Sequence, residues 1–333
     1  MSLKQRVGQL IMVDCPSTGV SQATRAAITS YRVGSVILDG TSQSGLAATR
    51  SVTAQLRGLA PRGVGLFIAT DQEGGQVQRL QGPGFSPIPS AVVQGGTAAD
   101  TLRRQARQWG DELRQAGINV NLAPVLDTVP SGGGSNPPIG DLDRQYGNTP
   151  TAVAKRGLAF ARGMGEAGID ATVKHFPGLG RVGGNTDTSG GVRDTVTSRN
   201  DAYLAPFRAA ARAGVPFLMM STAIYSKIDS ANPAAFSPTI IGGMVRGDLG
   251  YRGVVISDDV GAASQVAQYS PGQRAVRFVA AGGDVVLTVV ATQAAAMTEA
   301  LLRRAKSDAT FRKKVDTAVL RVLRAKHSRD LLT

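Results

Sequence analysis

Eight apolar runs of strand type recur along the chain, each followed by a stretch with helical spacing, and this alternation constrains the fold more than any other feature. The runs are residues 8–13, 33–38, 65–70, 118–125, 169–175, 215–221, 253–257 and 284–289. Their hydrophobicity is continuous rather than alternating, as expected of parallel strands covered on both faces. The helical stretches fall at 22–31, 46–59, 100–116, 151–167, 201–213, 238–249, 272–281 and 292–305. Strand and helix alternating eight times predict an α/β fold of the closed (β/α)8 type, a TIM barrel. Ser21 and Asn200 have the chemistry of helix N-caps, and Gly117, Gly168 and Gly214 stand where helices end before the next strand.

One more helix, 311–327, carries Val315, Ala318, Val319 and Val322 at helical spacing and reads as a C-terminal cover packed on the barrel. At 333 residues the chain has the size of one such barrel, so a single domain over residues 1–333 is expected. The Gly/Ser/Pro stretch 131–138 does not interrupt the strand and helix count and is expected to be a loop.

The composition, 42% hydrophobic and 18% charged, is that of a folded chain. The formal charge of +13 is spread over several helices, and aromatics make up only 5%. A solvated basic surface, able to approach an acidic cell-envelope polymer, fits this better than a nucleic-acid groove. The single Cys15 excludes an internal disulfide and reads as a small buried strand residue. One cysteine with two histidines cannot build a zinc cluster, so neither metal nor cofactor is expected. No run of about eighteen apolar residues is present to span a bilayer. Met1-Ser2-Leu3 leads straight into Lys4 without the apolar stretch of a signal peptide. The compartment is left between the bacterial cytoplasm and, for a chain whose leader has been removed, the cell envelope. A monomer is expected.

Chemically capable side chains gather at the strand ends. The apolar run 169–173 delivers Lys174 and His175 side by side, then breaks at Phe176-Pro177-Gly178. Pro177 has no N–H to continue a ladder, and the glycines that follow let the loop bend tightly. Asp71 follows the third run, Asp127 lies just beyond the fourth, and Asp258 closes the seventh. In a (β/α)8 barrel all these positions share the carboxyl rim, where catalytic groups sit.

Lys174-His175-Phe176-Pro177-Gly178 resembles the K-H-F-P-G motif of glycoside hydrolase family 3, in particular its single-domain β-N-acetylglucosaminidases (β-N-acetylhexosaminidases). Further motifs of that family occur in the same order: Asp71-Gln-Glu-Gly-Gly75, Asn121-Leu-Ala-Pro-Val-Leu-Asp127, Ile139-Gly140 with Arg144, and Ser257-Asp258-Asp259. The resemblance implies a retaining exo-glycosidase. Its substrate would be a small carbohydrate with a terminal β-linked N-acetylglucosamine, as in peptidoglycan and cell-wall turnover, cleaved through a covalent glycosyl intermediate on Asp258. It also implies Asp71, Arg79, Arg144, Lys174 and His175 as substrate-binding residues. Their chemistry suits a sugar, since a carboxylate accepts two hydroxyl hydrogen bonds and a guanidinium donates several. Asp259 is expected to be structural, because successive residues at a strand end point in different directions.

One departure from the family stands out. Its single-domain members carry an Asp-x-His pair in the loop after K-H-F-P-G, the histidine being the general acid/base. Here that loop has Asp187-Thr188-Ser189, the position after the motif is Leu179, and the second histidine, His327, lies on the last helix. Serine does not titrate near neutral pH and cannot replace an imidazole as proton donor. Asp187 could act as the acid with a raised pKa, or a carboxyl such as Asp141 or Asp143, or one from a partner chain, could serve. Otherwise the chain would be a carbohydrate-binding or regulatory protein on a weakened glycosidase barrel. A transglycosylase or β-glucosidase on the same fold is the remaining alternative.

Overall fold

The structure, a computed structural model, describes residues 1–61 and 63–332. Eight parallel strands form the barrel: β1 (Ile11–Pro16), β2 (Ser35–Asp39), β3 (Phe67–Thr70), β4 (Val120–Asn121), β5 (Asp170–Phe176), β6 (Phe217–Met220), β7 (Val254–Ser257) and β8 (Val286–Thr288). Neighbours in sequence are neighbours in the sheet, and β8 pairs with β1. The ring closes between β7 and β8, where Ile256 bridges Val285 and Ser257 N–H donates to Val285 C=O at 2.9 Å. The expected TIM barrel is therefore the observed one.

The first strand starts at Ile11 rather than at residue 8, because Leu3–Gly8 is a helix closed by a capping box between Ser2 and Gln5. The fourth strand is shorter than expected, since Pro124 has no N–H to give. Contact with β5 continues past the strand's end, Thr172 N–H donating to Ala123 C=O at 2.9 Å, Lys174 N–H to Pro124 C=O at 3.2 Å and Leu126 N–H to Lys174 C=O at 2.6 Å. Ser21 caps its helix, its Oγ accepting from Thr24 N–H at 3.1 Å. The cap expected at Asn200 is instead Asp201, whose carboxylate accepts from Tyr203 N–H at 2.8 Å. A tight turn, Ala202–Leu204, opens that helix and moves its cap one residue on. The expected helix 238–249 is wound as a π-helix over Thr239–Asp248. Gly117, Gly168 and Gly214 adopt φ of 85°, 85° and 68°, the left-handed conformation that ends a helix at low steric cost.

The last helix, Ala309–His327, buries Phe311, Val315, Ala318, Val319 and Val322. It also closes the amino end of the barrel with polar contacts. Lys326 Nζ donates to Gln9 Oε1, Gly34 C=O and Gly65 C=O at 2.6, 2.8 and 2.6 Å. These acceptors lie just before β1, β2 and β3, and Arg329 pairs with Asp170 at the start of β5. The amino end is thus filled, and the carboxyl rim is left to hold a site. Cys15 is free and buried on β1. Among the described residues no helix is long and apolar enough to cross a membrane.

Candidate active site

A cavity of about 350 Å³ opens on the carboxyl rim. Its wall brings together Asp71 and Arg79 from the loop after β3, Arg144 from the loop after β4, Lys174 and His175 from β5, Asp187 from the next loop, and Asp258 from the end of β7. All seven residues singled out in the sequence meet there. Asp39, at the end of β2, also lines it.

Adjacent residues on a regular strand face opposite ways, yet Lys174 and His175 both reach the cavity. The peptide bond between them is cis. The ladder between β5 and β6 shifts register between Val173 and Phe176, so the alternation of a regular strand does not hold at this pair. Lys174 Nζ lies 2.6 Å from both Asp71 Oδ1 and Glu73 Oε1. Burial favours the neutral amine, but the two carboxylates outweigh it and hold Lys174 above its ordinary pKa.

Glu73 escaped notice in the sequence. It binds Arg144 through two hydrogen bonds, Nε to Oε2 at 2.8 Å and Nη2 to Oε1 at 2.7 Å. Burial pushes its carboxyl up, and Arg144 with Lys174 overcomes this and holds it well below the usual carboxylate range. A sequence signal was available: in an extended segment Asp71 and Glu73, two apart, face the same side. Asp127, at the end of its motif, is likewise a brace. Its Oδ2 lies 2.6 Å from His175 Nδ1, while Oδ1 accepts from the N–H groups of His175 (3.1 Å) and Leu179 (2.8 Å). Such a partner fixes the ring orientation and leaves Nε2 as the free nitrogen. Arg79 contributes a buried Nε that has no hydrogen-bond partner among the described residues.

Asp258 is half-buried, and its Oδ1 accepts from Asp259 N–H at 2.9 Å. Asp259 has the structural role expected of it, accepting from the N–H groups of Gly261, Ala262, Ala263 and Val289 at 2.8–3.2 Å. Asp187 lines the cavity from its exposed rim. Although the residue as a whole is exposed, its carboxyl is crowded by the surrounding protein, and this desolvation, then the like charge of Asp258, raises it to about 6. Ser189 is exposed and does not line the cavity, whereas Asn185, Thr186 and Asp187 all do. The loop therefore offers the cavity the Asp187 carboxyl and not the Ser189 hydroxyl. The other acids considered, Asp141 and Asp143, are exposed and off the cavity wall. Asp141 instead ties Ser135 and the Asn136 N–H within its own loop.

A (β/α)8 barrel whose rim collects carboxylates and cations around a small cavity has the architecture of many sugar-cleaving enzymes. The family model for the glycosyl hydrolase family 3 N terminal domain matches residues 2–325, and the chain belongs to that family. It is 32% identical over 286 residues to a beta-hexosaminidase of Stenotrophomonas maltophilia, covering 84% of this chain and 82% of the relative. A beta-hexosaminidase of Alkalilimnicola ehrlichii is 36% identical over 287 residues, 83% of this chain and 79% of the relative. Among solved structures, the beta-N-acetylhexosaminidase of Beutenbergia cavernae superposes with a TM-score of 0.97 at 48% identity, covering 98% of this chain and 99% of that one. A family 3 beta-N-acetylglucosaminidase of a Paenibacillus species gives 0.91 at 33% identity, covering 99% of this chain and 63% of the other.

Proposed function

We propose that the protein is a retaining β-N-acetylhexosaminidase that removes a terminal N-acetylglucosamine from small glycosides, with Asp258 as nucleophile and Asp187 as general acid/base. The observation that carries the reading is that Asp187 and Asp258 share one cavity wall and act on each other electrostatically, the acid being raised to about 6. Two carboxyl groups in unlike protonation states are what double displacement requires. Asp258, as the carboxylate, attacks the anomeric carbon while protonated Asp187 gives its proton to the departing oxygen. The glycosyl ester on Asp258 is then opened by a water whose proton returns to Asp187. Around the ring, Asp71 and His175 accept or donate to hydroxyl groups, and Arg79, Arg144 and Lys174 supply donors. The names of the relatives support N-acetylglucosamine as the sugar. A basic surface suits acidic cell-wall fragments as the natural source.

The test is turnover of a fluorogenic N-acetylglucosaminide against the matching β-glucoside, with Asp258→Ala as control. Turnover of the first, lost in the variant, is expected. Faster cleavage of the glucoside rejects the sugar assignment. Calorimetric binding of N-acetylglucosamine without any turnover rejects catalysis in favour of a binding protein.

A further inference from the structure

The loop that carries Asp187 is held by the loop that carries Asp258. Ser264 N–H donates to Asp187 C=O at 3.0 Å, and Gln265 N–H donates to Thr186 C=O at 3.1 Å. The Gln265 side chain grips the far limb of the same loop, its Oε1 accepting from Val192 N–H at 2.8 Å and its Nε2 donating to Val192 C=O at 3.0 Å. Upstream, Asp259 fixes the turn leading to Ser264 by accepting from Gly261, Ala262 and Ala263. A hydrogen-bonded path therefore runs from Asp258-Asp259 through this turn to Ser264-Gln265 and on to Thr186-Asp187. Asn185 adds the last brace, its Oδ1 accepting from Asp187 N–H at 2.9 Å.

We infer that Gln265 is a positioning residue for proton transfer, setting where Asp187 stands relative to Asp258; the inference rests on the reading of Asp187 given above. Gln265 is buried, at 3% exposure, and does not line the cavity, so it acts on the reaction only through the loop. An amide suits the position because it presents one donor and one acceptor side by side, matching the N–H and C=O of a single residue. Glutamate would set an acceptor against Val192 C=O, and leucine would leave the Val192 N–H without a partner while the C=O keeps the Ile224 N–H at 3.1 Å. A proton donor misplaced by about 1 Å can cost ~10²-fold in rate.

The experiment compares wild type, Gln265→Leu, Gln265→Glu and Asp187→Asn on two N-acetylglucosaminides. One has a dinitrophenyl leaving group that departs without a proton, the other an alkyl group that needs one. Calorimetric titration with N-acetylglucosamine reports whether the cavity is intact. Both Gln265 variants are expected to bind the sugar within about threefold of wild type. Their kcat/KM should fall on the order of 10-fold to 100-fold further on the alkyl glycoside than on the dinitrophenyl one. Asp187→Asn should show the same differential, larger. If Asp187→Asn shows it and the Gln265 variants lose nothing, or lose equally on both substrates, the positioning role is overturned and the acid assignment stands. If Asp187→Asn shows no differential, the acid assignment itself is overturned. Should the leucine variant not fold, the glutamate variant decides; loss of sugar binding in both makes Gln265 a folding residue and rejects the inference.

Discussion

The Glu73 carboxylate holds the Arg144 guanidinium in a two-point grip of 2.7 and 2.8 Å, with side chains only 5% and 14% exposed. The same carboxylate lies 2.6 Å from Lys174. Two cations that face the cavity are thus aimed by an acid set behind them. Both side chains line the cavity, and the donors that their protein partners do not take are the ones left for a bound sugar.

Removing that acid leaves two buried cations with only Asp71 between them. Glu73→Ala is expected to lower stability by about 3–5 kcal/mol, the usual cost of breaking a buried pair from one side. Thermal and urea unfolding would measure it. Folding depresses this carboxyl, so its stabilisation is complete above the unfolded value, roughly pH 4.3, and is lost as pH falls toward the lower folded value. The gap between wild type and variant should therefore be constant from about pH 5 to 8 and narrow below about pH 4. A gap that widens in acid would contradict the assignment.

Asp187 has the opposite displacement and, as the proposed acid, should govern activity. Its proton is needed when the leaving group departs, so kcat/KM on an alkyl glycoside should hold below pH 6 and decline as pH rises through about 6, the value to which burial and Asp258 raise it. Asp187→Asn should remove this alkaline limb and reduce the rate by roughly 10²–10⁴-fold. The dinitrophenyl glycoside should show neither effect in the glycosylation step. A wild-type profile on the alkyl substrate that stays flat to pH 8 would exclude Asp187 as the acid.

The barrel was legible because eight buried strands leave eight continuous apolar runs, a pattern that depends on no single contact. Asp71, Lys174, His175 and Asp258 were legible because strand ends in such a barrel share a rim, whereas Arg79, Arg144 and Asp187 were found only through the resemblance to glycoside hydrolase family 3. Glu73 was not, since its role is to hold other side chains and only the fold brings Arg144 and Lys174 to it. Ser189 drew attention by its place near Asp187, but the loop residues that Ser264 and Gln265 hold through their carbonyls, Asp187 and Thr186, are the ones that meet the cavity. Those bonds, Ser264 to Asp187 and Gln265 to Thr186, join residues 77 and 79 positions apart (264 − 187 and 265 − 186), and no local pattern announces them. The cap at Asp201 rather than Asn200 is a smaller case, set by a one-turn opening of the helix.

Lys326 offers a test of stability separable from catalysis. Its Nζ, whose pKa burial lowers to about 7, donates to Gln9 Oε1 and to the carbonyls of Gly34 and Gly65, all at the barrel end away from the cavity. Lys326→Met keeps much of the stem's volume and orphans two acceptors, Gln9 Oε1 and Gly65 C=O, while Gly34 C=O keeps the Phe67 N–H at 3.2 Å. A loss of about 3 kcal/mol is expected, since each orphaned buried acceptor costs roughly 1–3 kcal/mol. Urea unfolding should register it while kcat/KM at 25 °C stays within about twofold of wild type. A large kinetic defect with unchanged stability would mean that the amino end communicates with the rim.

Gly180 sits at the root of the loop that leads to Asp187, where the chain passes against the strand-end segment after β4. A Cβ there would lie 2.0 Å from Thr128 C=O oxygen and 2.4 Å from its carbon, both backbone atoms that cannot swing aside. The preceding residue, Leu179, is tied to Asp127, and the following one, Arg181, is paired with Asp201 at 2.7 Å. The strain of Gly180→Ala must therefore move the loop backbone itself. Overpacking of this kind costs about 1–3 kcal/mol, so the protein should still fold. A shift of about 1 Å passed along to Asp187 should lower kcat/KM on the alkyl glycoside by ~10²-fold. Gly183→Ala, three residues on, is the control, because a Cβ there meets nothing within 4 Å. If the two variants prove equally active, the fixed path of this loop is not what places the acid, and the proton must come from a group whose position Gly180 does not set.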